Sequence, residues 1–150
     1  MPDPAHGIDA APKSCLFRIP TKERTVADAR KLSDELMAAY NRQDFDRMEA
    51  MIAPDIDFAH FNRNFEMHSR DELCATLRTF AAQYFTERHF EDPEKVVVQG
   101  NTLVRVAWYV GTAKVDLPGF GNAGETFRFK FCSVMRFDDA GMLVEWKDFG

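Results

Sequence analysis

The chain has 150 residues, of which 45% are hydrophobic and 13% aromatic, so it can bury one sizeable core in a single domain. Its formal net charge of -5, with no basic cluster to offset it, argues against a protein that binds nucleic-acid backbones. Its fourteen phenylalanines can line a cavity as readily as fill a core, which favours a pocket for an apolar or flat ligand.

The three cysteines, Cys15, Cys74 and Cys132, form no Cys-x-x-Cys pair and no cysteine/histidine pattern suited to zinc. We interpret them as reduced thiols of a cytoplasmic protein, and we expect no metal and no other cofactor. The sequence also has no basic start followed by an apolar run, and no stretch of about 18 apolar residues. These features predict a soluble protein without a signal peptide or membrane span.

Residues 1–21 contain four of the seven prolines and no periodic apolar pattern. This composition predicts a flexible N-terminal arm before a single domain at residues 22–150. Alternatively, Cys15, Leu16 and Phe17 dock on the domain or on a second subunit.

The first two helices are predicted from apolar residues that recur at three- and four-residue steps. Thr25 and Asp28 mark the start of a helix over residues 26–41. Asp44 is placed to cap a second, shorter helix, which Pro54 is expected to end.

Ser69 and Glu72 form a capping box for a third helix, whose buried side is expected to reach Phe85. The other segments alternate between apolar and polar residues and are bounded by turn residues, which predicts strands. The predicted strands cover residues 55–61, 88–91, 96–98, 102–115, 125–137 and 142–149. Helices followed by strands predict an α+β fold in which a curved sheet wraps round a helix.

The final predicted strand carries an unusual carboxylate. Because side chains alternate along a strand, Asp148 is expected to share a face with Trp146 and Val144 and to point into the interior. A buried carboxylate needs a cation, a hydrogen-bond donor or a proton, and each of these sets its acid strength. Asp148 is therefore the first candidate for a functional residue.

Two stretches of the chain resemble a known superfamily. The run from Leu36 to Asp55 is similar to the opening of the nuclear transport factor 2-like superfamily. The ending, from Phe131 to Phe137 and then from Leu143 to Phe149, resembles the SnoaL-like polyketide cyclases and limonene epoxide hydrolases within it. The resemblance covers residues 26–150. It implies a cone-shaped, curved antiparallel or mixed sheet wrapped around about three helices, a cystatin-like α+β barrel with an apolar pocket at one end.

The resemblance also implies a catalytic residue. In the cyclases the acid/base is an aspartate in a closing strand of the form Trp/His-Arg/Lys-Asp-aromatic, which corresponds to Asp148 in this sequence. In the epoxide hydrolases that aspartate activates water with a tyrosine and an asparagine on the first strand, where this chain has Phe58 and His60. Those enzymes also use an arginine and a second aspartate on the middle strand, but residues 102–112 contain no acidic residue. The chain therefore departs from the epoxide hydrolase pattern.

Scytalone dehydratase is a further relative. Its Tyr-Asp pair corresponds to Tyr40 and Asn41 here, and one of its histidines corresponds to His89. The missing aspartate makes dehydration a weaker expectation than a reaction based on Asp148.

Two further residues are expected near Asp148. Arg105 shares a strand face with Leu103, Ala107 and Tyr109; if that face lines the cavity, its charge lowers the pKa of Asp148 while desolvation raises it. His60, which titrates near pH 6.5 when unperturbed, is the expected auxiliary proton donor or acceptor. The predicted catalytic residues are Asp148, His60 and Arg105, and the predicted substrate-binding residues are Tyr40, Phe58, His89, Tyr109 and Trp146.

These expectations favour a cofactor-independent acid/base enzyme, a cyclase or isomerase of an apolar polyketide- or terpenoid-like carbonyl compound. One alternative is a hydrolase or dehydratase that uses the same aspartate; another is a non-catalytic protein that binds a small apolar ligand. Asp148 can also be a strand-end carboxylate paired with Arg105 or Lys147, and His60 a structural histidine. The apolar face formed by Val104, Val106, Trp108 and Val110 predicts a homodimer through the sheet.

Overall fold

The computed structural model describes residues 27–150. The predictions of a flexible arm, of a docking Cys15 segment and of a cap at Thr25 lie outside the described residues.

Three helices precede the long strands: α1 (Ala29–Asn41), α2 (Phe45–Met51) and α3 (Arg70–Thr79). Asp28 caps α1 by accepting a hydrogen bond from the backbone N–H of Lys31, so the helix begins three residues later than predicted. The caps predicted for the other two helices are confirmed, because Asp44 accepts from the N–H of Arg47 and Ser69 from the N–H of Glu72.

The sheet has seven strands, β1 (Ile52–His60), β2 (Phe65–Met67), β3 (Phe85–Phe90), β4 (Lys95–Gln99), β5 (Thr102–Ala113), β6 (Thr126–Phe137) and β7 (Leu143–Phe149). Its order is β2-β1-β7-β6-β5-β3, and β4 also pairs with β5. The β1–β7 pair is parallel and the other pairs are antiparallel. The α+β fold with a curved, mixed sheet is confirmed, and the sheet stays open between β2 and β3.

Two predicted boundaries are wrong for local reasons. Helix α2 ends at Met51, and Pro54 lies inside β1. The pairing of β1 with β7 is irregular at this stretch, so the missing N–H of proline costs no inter-strand hydrogen bond. Helix α3 continues into a π-helical turn at Phe80–Tyr84, so Phe85 begins β3 and is not part of the helix.

The core lies between the helices and the concave face of the sheet. Buried and partly buried side chains alternate strictly along β5, and the predicted inner face is the buried one: Leu103, Arg105, Ala107 and Tyr109. Large buried side chains from the helices and both ends of the sheet complete this core, including Leu36, Met48, Ile56, Met135, Leu143 and Trp146. None of the helices in residues 27–150 combines the length and apolar character needed to cross a membrane.

The outer face of β5 is less apolar than the sequence suggests. The Arg128 guanidinium lies 3.8 Å and the Lys130 ammonium 4.5 Å from the ring centre of Trp108. The indole N–H of Trp108 donates to Glu94 at 2.7 Å. Charged groups thus cover much of this tryptophan, and a homodimer through this face stays a prediction.

Candidate active site

Asp148 is buried on the inner face of β7, with 4% of its surface exposed. Its Oδ1 accepts two hydrogen bonds, from the Ser133 hydroxyl at 2.5 Å and from the Trp146 indole N–H at 2.8 Å. None of the hydrogen bonds among residues 27–150 reaches its Oδ2. One oxygen is therefore fixed by the protein, and the other is left for a ligand or a proton.

A bulge in β7 sets this arrangement. The pairing with β6 shifts between Arg136 and Phe137, so that Leu143 and Trp146 are both buried although they are three residues apart. Val144 is only partly buried, and the prediction that it shares the inner face with Asp148 is wrong. Trp146 and Asp148 do point inward together, as the alternation predicts.

Burial raises the pKa of Asp148 from its ordinary value of 3.8 to about 6. Hydrogen bonds from Ser133 and Trp146 and the charge of Arg105 oppose this rise, because each of them favours the carboxylate. Such a group is mostly ionised at neutral pH but binds a proton readily, which suits a general base that later acts as an acid.

A row of polar side chains crosses the inner face of the sheet. In register, His60 on β1 pairs with Asp148 on β7, Asp148 with Ser133 on β6, and Ser133 with Arg105 on β5. Arg105 is thus two strands away from Asp148 and does not line the cavity. Its guanidinium carbon lies 5.6 Å from the ring centre of Phe90. It acts on Asp148 through its charge and forms no ion pair with it, and its burial lowers its own pKa.

His60 lines the same cavity and packs edge-on against Phe131, with ring centres 4.9 Å apart. Both of its ring nitrogens are buried, and neither has a hydrogen-bond partner among residues 27–150. Burial, followed by the charge of Arg63, lowers the pKa of His60 to about 4. The pKa of His60 therefore lies below the value of 6.5 for an unperturbed histidine, and at neutral pH the side chain is an uncharged ring with one N–H donor and one acceptor.

The cavity has a volume of about 390 Å³ and mostly aromatic walls. This volume lies within the range of about 300–1,000 Å³ that is usual for small-molecule sites. Of the predicted substrate-binding residues, Tyr40, Phe58, Tyr109 and Trp146 line it. Its other walls include His60, Arg63, Phe65, Leu73, Leu77, Phe80, Tyr84, Phe85, Phe90, Leu117, Phe120, Phe131 and Asp148.

His89 does not line the cavity, so this prediction does not hold. The pairing of β3 with β5 shifts between Thr86 and His89, and Glu87 has a positive φ of 55°. This irregularity turns His89 to the exposed side, where its Nδ1 lies 2.9 Å from the carbonyl of Glu87. Asn41, also suggested by the dehydratase resemblance, instead donates through Nδ2 to the Phe90 carbonyl and accepts through Oδ1 from the Phe90 N–H.

Two tyrosine hydroxyls form a second polar element of the cavity. The Tyr40 hydroxyl donates to the Tyr109 hydroxyl at 3.1 Å, which leaves the proton of Tyr109 free to donate to a ligand. Burial raises the pKa of both tyrosines, so both stay protonated at neutral pH. The buried Arg88 guanidinium carbon lies 4.2 Å from the ring centre of Tyr40 and lowers the pKa of both hydroxyls in part.

Comparison with known proteins gives the family. The sequence matches the SnoaL-like domain over residues 34–146, which is most of the chain. The chain belongs to the SnoaL-like family. No curated protein matches the sequence significantly.

Solved structures with low identity to the SnoaL-like chain show the same fold. A proposed polyketide cyclase from Pseudomonas putida superposes with a TM-score of 0.70 at 17% identity, covering 81% of this chain and 90% of the other. An NTF2-like protein from Burkholderia thailandensis has a TM-score of 0.65 at 24% identity, covering 81% and 88%. An LEH-like epoxide hydrolase from Mycobacterium tuberculosis has a TM-score of 0.63 at 17% identity, covering 80% of each chain.

Two residues of this site were missed by the sequence predictions: Ser133, which contacts Asp148, and Arg63, which lines the cavity. Ser133 fixes Asp148, and only the register of β6 against β7 brings the two together. Arg63 lies in the short turn Phe61–Arg63 after β1, where no periodic pattern points to a site. Within residues 27–150, no group of three or more histidine, cysteine or acidic side chains is arranged to hold a metal ion.

Proposed function

We propose that this SnoaL-like protein is an acid/base enzyme, a cyclase or isomerase that acts on an apolar, polyketide- or terpenoid-like carbonyl compound. The observation that carries this proposal is Asp148, a carboxylate in an aromatic cavity. Its Oδ1 is held by Ser133 and Trp146, and its Oδ2 has no donor within residues 27–150. The pKa of about 6 supports a role as a base at neutral pH.

In the proposed reaction, the Asp148 carboxylate takes a proton from the carbon next to a ring carbonyl. The electron pair of the broken C–H bond moves to the carbonyl oxygen, which becomes an enolate oxygen. The Tyr109 O–H, which already accepts a hydrogen bond from Tyr40, is available to donate to this oxygen.

The fate of the enolate decides the product. In an isomerase the substrate carries a second double bond, the enolate is a conjugated dienolate, and the protonated Asp148 returns its proton to the far carbon of that dienolate. In a cyclase the enolate carbon attacks a second carbonyl of the same substrate, and Asp148 gives its proton to the alkoxide that forms. In both cases Asp148 ends the cycle ionised, so the protons balance.

The first test measures proton abstraction directly. 2-Tetralone is an apolar bicyclic ketone with exchangeable protons next to its carbonyl, and exchange in D₂O is followed by NMR. The wild-type protein is expected to speed exchange above the buffer rate, and Asp148→Asn to reduce that catalysis by about 10²-fold or more. Asp57→Asn, which removes a half-exposed carboxylate of β1 outside the cavity, serves as the control and is expected to keep the wild-type rate.

Exchange by Asp148→Asn within a few-fold of the wild-type rate would overturn the assignment of Asp148. Once a substrate is known, its turnover in H₂¹⁸O separates the proposed reaction from hydrolysis. Incorporation of ¹⁸O from the water into the product during turnover would favour a hydrolase that uses the same aspartate.

A further inference from the structure

The cavity contains a cation that the proposed acid/base chemistry does not use. Arg63 ends the short turn after β1, and its side chain lines the cavity. Its Nε is buried and has no hydrogen-bond partner in the part of the chain that the structure describes. None of the ion pairs formed within residues 27–150 includes Arg63. A partly dehydrated guanidinium without a counter-ion is available to bind an anion.

The position of Arg63 is fixed by the loop between β5 and β6. Its guanidinium carbon lies 3.8 Å from the ring centre of Phe120 and 5.3 Å from that of Phe129. A Cβ at Gly119 would stand 3.1 Å from Nη1 of Arg63, so the glycine leaves room for the guanidinium. The loop itself is closed by a hydrogen bond from the Leu117 N–H to the Gly121 carbonyl at 2.9 Å. The cation is thus packed against aromatic rings at the cavity and is not a freely moving surface arginine.

A second donor accompanies Arg63. His60 lies three residues earlier and lines the same cavity, and its two buried ring nitrogens have no partner among the described residues. The charge of Arg63 helps to hold His60 in its uncharged form at neutral pH, so one imidazole N–H is available in the same cavity as the guanidinium. The two side chains together offer a charged donor and a neutral donor to one anion.

We propose that Arg63 and His60 bind a carboxylate group carried by the apolar ring substrate. A carboxylate matches the planar guanidinium, which can donate two parallel hydrogen bonds to it. A phosphate would bring a larger charge than this single cation can balance in a mostly aromatic cavity. The inference deepens the proposed function and rests on it for the reaction, but the binding step is tested separately.

The test compares 2-naphthoate with its neutral amide, 2-naphthamide, by isothermal titration calorimetry near neutral pH. The wild-type protein is expected to bind the acid at least about ten-fold more tightly than the amide, as a charge-assisted pair predicts. Arg63→Met keeps the aliphatic length but removes the charge, and it is expected to abolish the preference. Arg63→Lys is expected to keep part of it. Arg136→Met, on the exposed side of β6, removes the same charge away from the cavity and is the matched control.

Equal affinity of the wild-type protein for the acid and the amide would overturn the inference, and so would a preference that survives in Arg63→Met. Failure of the wild-type protein to bind 2-naphthoate would also overturn it. The acid/amide comparison in the wild-type protein needs no variant, so a poorly folding Arg63→Met would not rescue the proposal. Asp148→Asn is expected to keep the preference for the acid while losing proton exchange, so the two proposals can fail independently.

Discussion

Replacing Asp148 by asparagine should make the protein more stable while it removes the proposed catalysis. The folded protein holds the Asp148 proton more tightly than the unfolded chain does, because burial raises the pKa from 3.8 to about 6. The ionised carboxylate therefore destabilises the fold, and this effect grows as the pH rises from about 3.8 and is complete above about 6. Asparagine resembles the protonated acid and avoids this destabilisation at every pH.

The magnitude follows from the pKa difference. At about 1.36 kcal/mol for each pKa unit, the rise from 3.8 to about 6 corresponds to about 3 kcal/mol. The asparagine Oδ1 can still accept hydrogen bonds from Ser133 and Trp146. The asparagine NH₂ takes the place of Oδ2, which has no donor among the described residues. Because a neutral acceptor is weaker, we expect Asp148→Asn to raise the free energy of unfolding by about 1 to 3 kcal/mol near pH 8.

Urea unfolding at one protein concentration, followed by tryptophan fluorescence, measures this difference at several pH values. The gain is expected to be largest near pH 8 and to fall towards zero near pH 4. Asp57→Asn is the control of opposite sign. The hydrogen bond from Lys147 lowers the pKa of the half-exposed Asp57, so loss of this carboxylate should lower the free energy of unfolding by less than about 1 kcal/mol. A pH-independent difference for Asp148→Asn, or a loss of stability near pH 8, would refute the reasoning.

Three further outcomes test other parts of the structure. Ser133→Ala removes a hydrogen bond that lowers the pKa of Asp148, so the pH profile of proton exchange should move to higher pH. Ser33→Ala removes a buried hydroxyl outside the cavity and should leave the pH profile unchanged. Gly111→Ala should lower the free energy of unfolding by about 1 to 3 kcal/mol, because its Cβ would stand 2.7 Å from the Phe127 ring; unchanged urea unfolding would contradict this packing. Burial raises the pKa of Cys74, so mass spectrometry should find it labelled by a thiol reagent only on unfolding, and rapid labelling of the native protein would contradict its burial.

The sequence was sufficient for those features that depend on local pattern. The caps at Asp44 and Ser69 and the buried face of β5 follow from side-chain chemistry and from the two-residue period of a strand. The inward direction of Asp148 follows from the same period, because the bulge precedes Trp146 and leaves the last part of the strand regular. The superfamily resemblance supplied the overall arrangement, which the family match and the solved structures confirm.

Features that depend on strand register could not be predicted. Ser133 separates Arg105 from Asp148, and this fact appears only when β5, β6 and β7 are aligned. His89 turns outward because of an irregularity in β3, which a strict alternation does not reveal. The low pKa of His60 depends on its burial and on Arg63, whose place in the cavity is set by contact with a loop more than fifty residues away.

The central claim is that Asp148 is a buried cavity carboxylate with a pKa suited to proton transfer. The most direct measurement is the ¹³C NMR titration of its side-chain carboxyl in aspartate-labelled protein, with the signal assigned by its absence in Asp148→Asn. A midpoint near pH 6 is expected. A midpoint at or below the ordinary value of 3.8 would contradict the claim.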